Sequence, residues 1–96
     1  METLSEAIAR LRAKGFVSDF SAVAGGQLRC EQCDREFDPS TLHIDEIVRF
    51  EGESDPGDES ILFALSSPCG HAGLYSAAYG PDATPEDVAV VAALHR

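Results

Sequence analysis

The apolar positions change period along the chain, and the changes mark the elements. From Thr3 to Lys14, Leu4, Ala7, Ile8 and Leu11 recur at i, i+3, i+4 and i+7, which predicts an amphipathic helix. Thr3 and Glu6 have the spacing of a capping box, and Gly15 suits the left-handed position after the last turn. From Phe16 to Ala24 the period falls to two. Phe16, Ser18, Phe20 and Ala22 are expected on one face of a strand, with Val17, Asp19, Ser21 and Val23 on the other. Gly25-Gly26 then predicts a two-residue turn, with Gln27 to Cys30 returning antiparallel.

Asp38-Pro39-Ser40-Thr41 reads as a turn or single helical turn, with Asp38 as cap and Pro39 at the first position. Leu42 to Phe50 predicts a strand with Leu42, Ile44, Glu46, Val48 and Phe50 on one face. Glu51 to Glu59 is acidic, carries Gly52, Pro56 and Gly57, and reads as a loop. Ser60 to Ser67 holds the near-continuous apolar run Ile61 to Leu65, the pattern of a central strand, and Pro68 ends it. Gly73 to Tyr79 reads as a further strand and Gly80-Pro81 as a turn. Thr84-Pro85-Glu86-Asp87 is a helix start, with a cap, a proline at the first position and acids in the first turn. Val88, Val91, Ala92 and His95 are the expected inward stripe. The whole predicts one α+β domain over residues 1–96: an N-terminal helix, a mostly antiparallel sheet of about five strands, and a C-terminal helix packed on it.

Charge narrows the function classes. The 96 residues carry a net charge of −10, and the acids concentrate between Glu31 and Glu59. Phosphate-backbone binding needs clustered Lys and Arg. The only basic cluster, Arg10, Arg12 and Lys14, falls in the last turns of the first helix, where the helix dipole favours positive charge. A nucleic-acid partner is therefore not expected. The acidity fits solubility, and in a sharper reading a basic protein partner or a divalent cation. No window approaches about 18 apolar residues, and Met-Glu-Thr-Leu-Ser-Glu lacks the basic and apolar regions of a signal peptide. The expectation is a cytoplasmic monomer or weak dimer, whose cysteines serve as thiols or metal ligands rather than as a disulfide framework.

All three cysteines lie in two short segments, Cys30-Glu31-Gln32-Cys33 and, after thirty-five residues, Cys69-Gly70-His71. Zinc takes four thiolate or imidazole ligands in a tetrahedron. A C-x-x-C turn presents two sulfurs one ligand edge apart, and a second turn supplies the other pair. Each segment sits at a predicted strand end, so the pattern predicts a zinc-ribbon-like knuckle pair holding one structural zinc through Cys30, Cys33, Cys69 and His71. His43 and His95 are the alternatives for the fourth ligand. Buried inert thiols are the bland reading. A thioredoxin-like site is disfavoured, because Glu31, Asp34 and Glu36 surround the pair and no helix follows Cys33. Residues 51–59 offer oxygen ligands, but their spacing does not match an EF-hand. No phosphate-cradling loop or nucleophile elbow is present in the sequence. The function expected is a non-enzymatic zinc-binding module acting through protein contacts. The alternative is a small metal-dependent enzyme or ligand binder using the zinc or the acidic loop 51–59.

Several stretches taken in order carry a resemblance. They are Arg12-Ala13-Lys14-Gly15-Phe16, Asp19-Phe20, the first cysteine pair, Ile44 to Gly52 with Ser54-Asp55-Pro56, Ile61 to Ser67, and Ala78-Tyr79-Gly80. Together they resemble a family of small, acidic bacterial proteins often labelled phosphoribosylpyrophosphate synthetase. That label implies an enzyme of ATP, ribose phosphate and magnesium, several times longer, whose motifs this chain does not contain. The resemblance implies no catalytic residues here, and Cys69-Gly70-His71 is not part of it.

Overall fold

Helix α1 spans Leu4–Ala13 and starts on a reciprocal cap. The Glu6 backbone N–H donates to Thr3 Oγ1 (3.2 Å), and the Thr3 N–H donates to Glu6 Oε1 (3.0 Å). It ends as the glycine predicts. Gly15 takes φ 107°, its N–H donates to Arg12 O, and the Phe16 N–H reaches back to Leu11 O. The computed structural model describes residues 3–50, 60–78 and 84–94. Six strands follow α1 in chain order: β1 (Ser18–Val23), β2 (Gln27–Cys30), β3 (Arg35–Phe37), β4 (His43–Phe50), β5 (Ser60–Ser66) and β6 (Ala72–Ala78). A 3-10 turn at Pro39–Thr41 precedes β4, capped by Asp38 as expected, and helix α2 (Pro85–Leu94) comes last. The fold is α+β, with the strands in the order β3-β2-β1-β6-β5-β4.

Two antiparallel three-stranded units make this sheet, β1-β2-β3 and β4-β5-β6. They meet in a parallel ladder of only two residue pairs, Ser18↔Gly73 and Asp19↔Leu74. Gly73 is required there. A Cβ at this position would lie 2.4 Å from Ser18 O, so no side chain fits between the strands. Arg12 secures the same junction from α1. Its guanidinium donates to Phe16 O (3.0 Å) and Ser18 O (2.9 Å) and pairs with Asp19.

The sheet buries both faces. Ala7 and Leu11 of α1 pack on Leu62, Ala64 and Leu74. On the opposite face Val90 and Leu94 of α2 join Phe20, Leu28, Cys30, Leu42, Phe63 and Tyr75. This explains why Ile61 to Leu65 is apolar without alternation: β5 is central and covered on both sides.

Four details differ from the sequence reading. The sheet has a sixth strand, β3. It is an edge strand of three residues, too short to show a period. The first hairpin closes through three residues, Ala24 to Gly26, because Val23 pairs with Gln27. Phe16 lies outside β1 and packs with α1, on the face opposite Phe20. In β4 a bulge falls between Ile44 and Glu46. The extra residue turns the following positions over, so Leu42 and Ile44 face α2 while Val48 and Phe50 face α1. Glu46 also comes to the α1 side, where Arg10 donates two hydrogen bonds to its carboxylate (2.6 and 3.2 Å).

The phase of α2 differs as well. Val90 and Leu94 are buried with Val91 half-buried, whereas Val88 is 54% exposed and Ala92 exposed. The helix is apolar nearly all round, so its sequence does not choose a face. Its first turn does. The buried Tyr75 hydroxyl donates to Asp87 Oδ1 (2.5 Å), which turns Val90, Val91 and Leu94 inward. Burial, followed by this carboxylate, raises the Tyr75 phenol well above its ordinary range. Among the described residues no helix is long and apolar enough to cross a membrane.

Candidate metal centre

At one end of the sheet β2 and β5 finish and β1 and β6 begin. The turns after β2 and β5 therefore arrive together, although they lie on different three-stranded units. The first turn runs from Cys30 to Asp34. The Asp34 N–H donates to Cys30 O (2.9 Å), and Asp34 takes φ 58°, a left-handed conformation that Asp tolerates better than most residues. Its acidic and amide side chains are anchored to neighbours. Gln32 Oε1 accepts from the Asp19 N–H (3.1 Å), Ser21 Oγ donates to Glu31 (2.6 Å), and Arg29 pairs with Asp34.

The second turn is closed by Ser67. Its carbonyl accepts from the Gly70 N–H (3.1 Å), and its own N–H donates to His71 O (2.9 Å). Gly70 sits at φ 88°, the bend that lets residues 69 and 71 present their side chains to the same point. Ser67 Oγ also contacts Cys69 Sγ at 2.9 Å and donates to His71 O (3.0 Å).

These turns bring Cys30, Cys33, Cys69 and His71 together, with one ligand atom from each all within 4.8 Å of one another. Cys33 Sγ and Cys69 Sγ are 3.4 Å apart. His71 Nδ1 lies 3.6 Å from Cys30 Sγ and 3.2 Å from Cys69 Sγ. A tetrahedral zinc has Zn–S near 2.3 Å and Zn–N near 2.05 Å, which sets S···S edges of about 3.8 Å and S···N edges of about 3.6 Å. These three separations are at or slightly below that scale and the others lie within 4.8 Å, so the four residues could hold a metal ion. Cys30 is fully buried in the α2-side core, and the other three are half-buried.

The thiols are electrostatically unequal. Burial, then hydrogen bonds with the Cys69 and Cys30 sulfurs, pushes the Cys33 thiol up to about 11. Burial also opposes ionisation of Cys69. The Ser67 hydroxyl, the His71 backbone N–H, Cys33 and the His71 ring together outweigh it and bring Cys69 down to about 6. Cys33 Sγ donates its S–H to Cys69 Sγ. Metal binding has to displace that proton.

The other candidates lie elsewhere. His43 is on β4 with its side chain 75% exposed and its Nε2 3.6 Å from Asp45 Oδ1. It is not in the cluster. His95 and the acidic segment 51–59 lie outside the described residues. The basic trio does not form a free patch, since Arg10 and Lys14 approach Glu46 and Arg12 holds the α1–β1 junction. Sequence reasoning missed Ser67. A hydroxyl two residues before a ligand is its only trace in the sequence, and its role needs the turn to be seen closed. No family model, curated protein or solved structure matches this chain.

Proposed function

We propose that Cys30, Cys33, Cys69 and His71 bind one zinc ion as a structural clamp, and that the protein is a non-enzymatic zinc-binding module acting through protein contacts. One observation carries the metal reading: four soft ligand atoms converge within 4.8 Å, two from each three-stranded unit. Three thiolates and an imidazole suit zinc, and four protein ligands leave no position for the water a catalytic zinc needs. The clamp lies where the sheet needs one, because only two residue pairs join the units in the ladder. Resemblance to the small acidic bacterial family belongs to the same proposal, as does a contact role for segment 51–59, which is outside the described residues.

The test is metal content by native mass spectrometry, followed by chelation. One zinc per chain, with a lower melting temperature on chelation or in Cys69→Ser, is the expected result. Less than about a tenth of an equivalent of zinc, with no loss of stability on chelation, overturns it. Cobalt substitution separates clamp from catalyst, since a spectrum showing bound water refutes the structural reading. For the contact role, affinity capture at two salt concentrations is the measure, and a catch insensitive to salt rules out the acidic segment.

A further inference from the structure

The three sulfurs of the cluster differ in access and in what they connect. Cys30 is completely buried, while Cys33 and Cys69 are partly open to solvent. Cys30 and Cys33 share one turn, so a bond between them ties β2 to nothing new. Cys33 and Cys69 belong to opposite sides of the β1–β6 junction, and their sulfurs are 3.4 Å apart. A disulfide has a sulfur separation of about 2.05 Å, so this pair has about 1.3 Å to close.

We infer that the site is a redox-exchangeable clamp, in which hydrogen peroxide replaces the zinc by a Cys33–Cys69 disulfide that holds the same two units together. This rests on the zinc reading above and adds its regulation. One of the two accessible sulfurs attacks a peroxide oxygen. The S–O bond forms, the O–O bond breaks, and hydroxide leaves, giving a sulfenic acid. The second sulfur, already in contact, attacks the first. The S–S bond forms, the S–O bond breaks, and a second hydroxide leaves. The two thiolates lose two electrons, peroxide gains them, and solvent protons convert both hydroxides to water. Cys30 and His71 remain as two ligands, too few to retain zinc against a chelator. Burial of Cys30 keeps peroxide from the sulfur whose oxidation would misdirect the cross-link.

The geometry gives the exchange a consequence. Zinc is lost, yet the junction stays tied. The oxidised protein therefore keeps its fold, whereas the reduced, metal-stripped protein has neither tie.

The experiment uses the full reduced chain with zinc bound, treated with stoichiometric hydrogen peroxide. Zinc release is read by a chromogenic chelator, the cross-link by tandem mass spectrometry, and the fold by thermal melting. Trypsin places Cys30 and Cys33 in the peptide 30–35 and Cys69 in the peptide 50–96, so a cross-link across the junction joins two peptides. The expected result is complete zinc release, a loss of two hydrogens, and linkage of these peptides through Cys33. The melting temperature should lie above that of the stripped reduced protein. An internal Cys30–Cys33 link, over-oxidation of a single sulfur without linkage, or zinc retained after peroxide is consumed each overturns the exchange while leaving the clamp standing. Absence of zinc before peroxide is added overturns the metal reading, and the exchange with it. The Cys33→Ser chain should show no joined peptides, and linkage there through Cys30 would also refute the assignment.

Discussion

Replacing Gly73 by alanine should strike the weakest joint of the sheet. The added Cβ would meet Ser18 O at 2.4 Å, Ser18 C at 2.5 Å and Ser18 Cβ at 2.8 Å. All three atoms belong to the facing strand, and two are backbone, so no side-chain rotation relieves the contact. Ordinary contact begins at 3.4 Å, which requires β1 and β6 to separate by about 1 Å. Hydrogen bonds near 2.9 Å then stretch to roughly 3.9 Å and are lost. Losing one or two of them costs about 1–2 kcal/mol at the usual net value, and residual overpacking adds about 1 kcal/mol. The expected loss is about 2–3 kcal/mol, or roughly 10–20 °C in melting temperature for a domain of this size. Urea denaturation of the protein measures it. Gly70→Ala is the control. Its Cβ has open space, so only the positive φ of 88° is strained, at about 1 kcal/mol. A Gly73→Ala chain within about 0.5 kcal/mol of the parent, or no worse than Gly70→Ala, would refute the argument that the junction depends on close backbone approach.

Three further outcomes are expected. Ser67→Ala removes the hydroxyl that contacts Cys69 Sγ and His71 O; zinc affinity should fall about 10–100-fold in a chelator competition, and an unchanged affinity would deny Ser67 its positioning role. The Arg10–Glu46 pair should contribute about 0.5–1 kcal/mol in a double-mutant cycle, being a third exposed. Arg10 first, with Lys14 adding to it, holds the Glu46 carboxyl below its ordinary range. A depressed folded value means that the contribution is full above the unfolded glutamate pKa of about 4.3 and fades as pH falls through the folded one. Arg10→Ala should therefore flatten the acid limb of the stability curve, and an unaltered limb counts against the pair. The phase of α2 is checked by two substitutions: Leu94→Ala should cost about 2–4 kcal/mol and Val88→Ser less than about 0.5 kcal/mol, and the reverse order would restore the stripe read from sequence.

Local chemistry determined much of this protein before any folding was seen. The Thr3–Glu6 cap, the Gly15 stop, the Asp38-Pro39 turn and the Thr84-Pro85 start are written in neighbouring residues, because a cap or turn is satisfied by atoms a few positions away. The two candidate ligand pairs were also legible, since C-x-x-C and C-x-H fix their own spacing. What required the tertiary structure was every decision between distant segments. The bulge after Ile44 reassigned half of β4 to the other face, and nothing in an alternating sequence announces an inserted residue. The face of α2 was chosen by Asp87 meeting Tyr75, because a helix that is apolar nearly all round beyond its first turn has no preferred side of its own. The parallel meeting of β1 with β6 was invisible, since Gly73 reads as an unremarkable strand end until Ser18 is placed against it. Beside that junction the fold also brings the Cys/His residues together. In sequence Cys30 and Cys33, and Cys69 and His71, are two separate pairs; among the described residues the fold gathers them into one group drawn from both halves of the sheet, at the end where the two-pair ladder joins those halves.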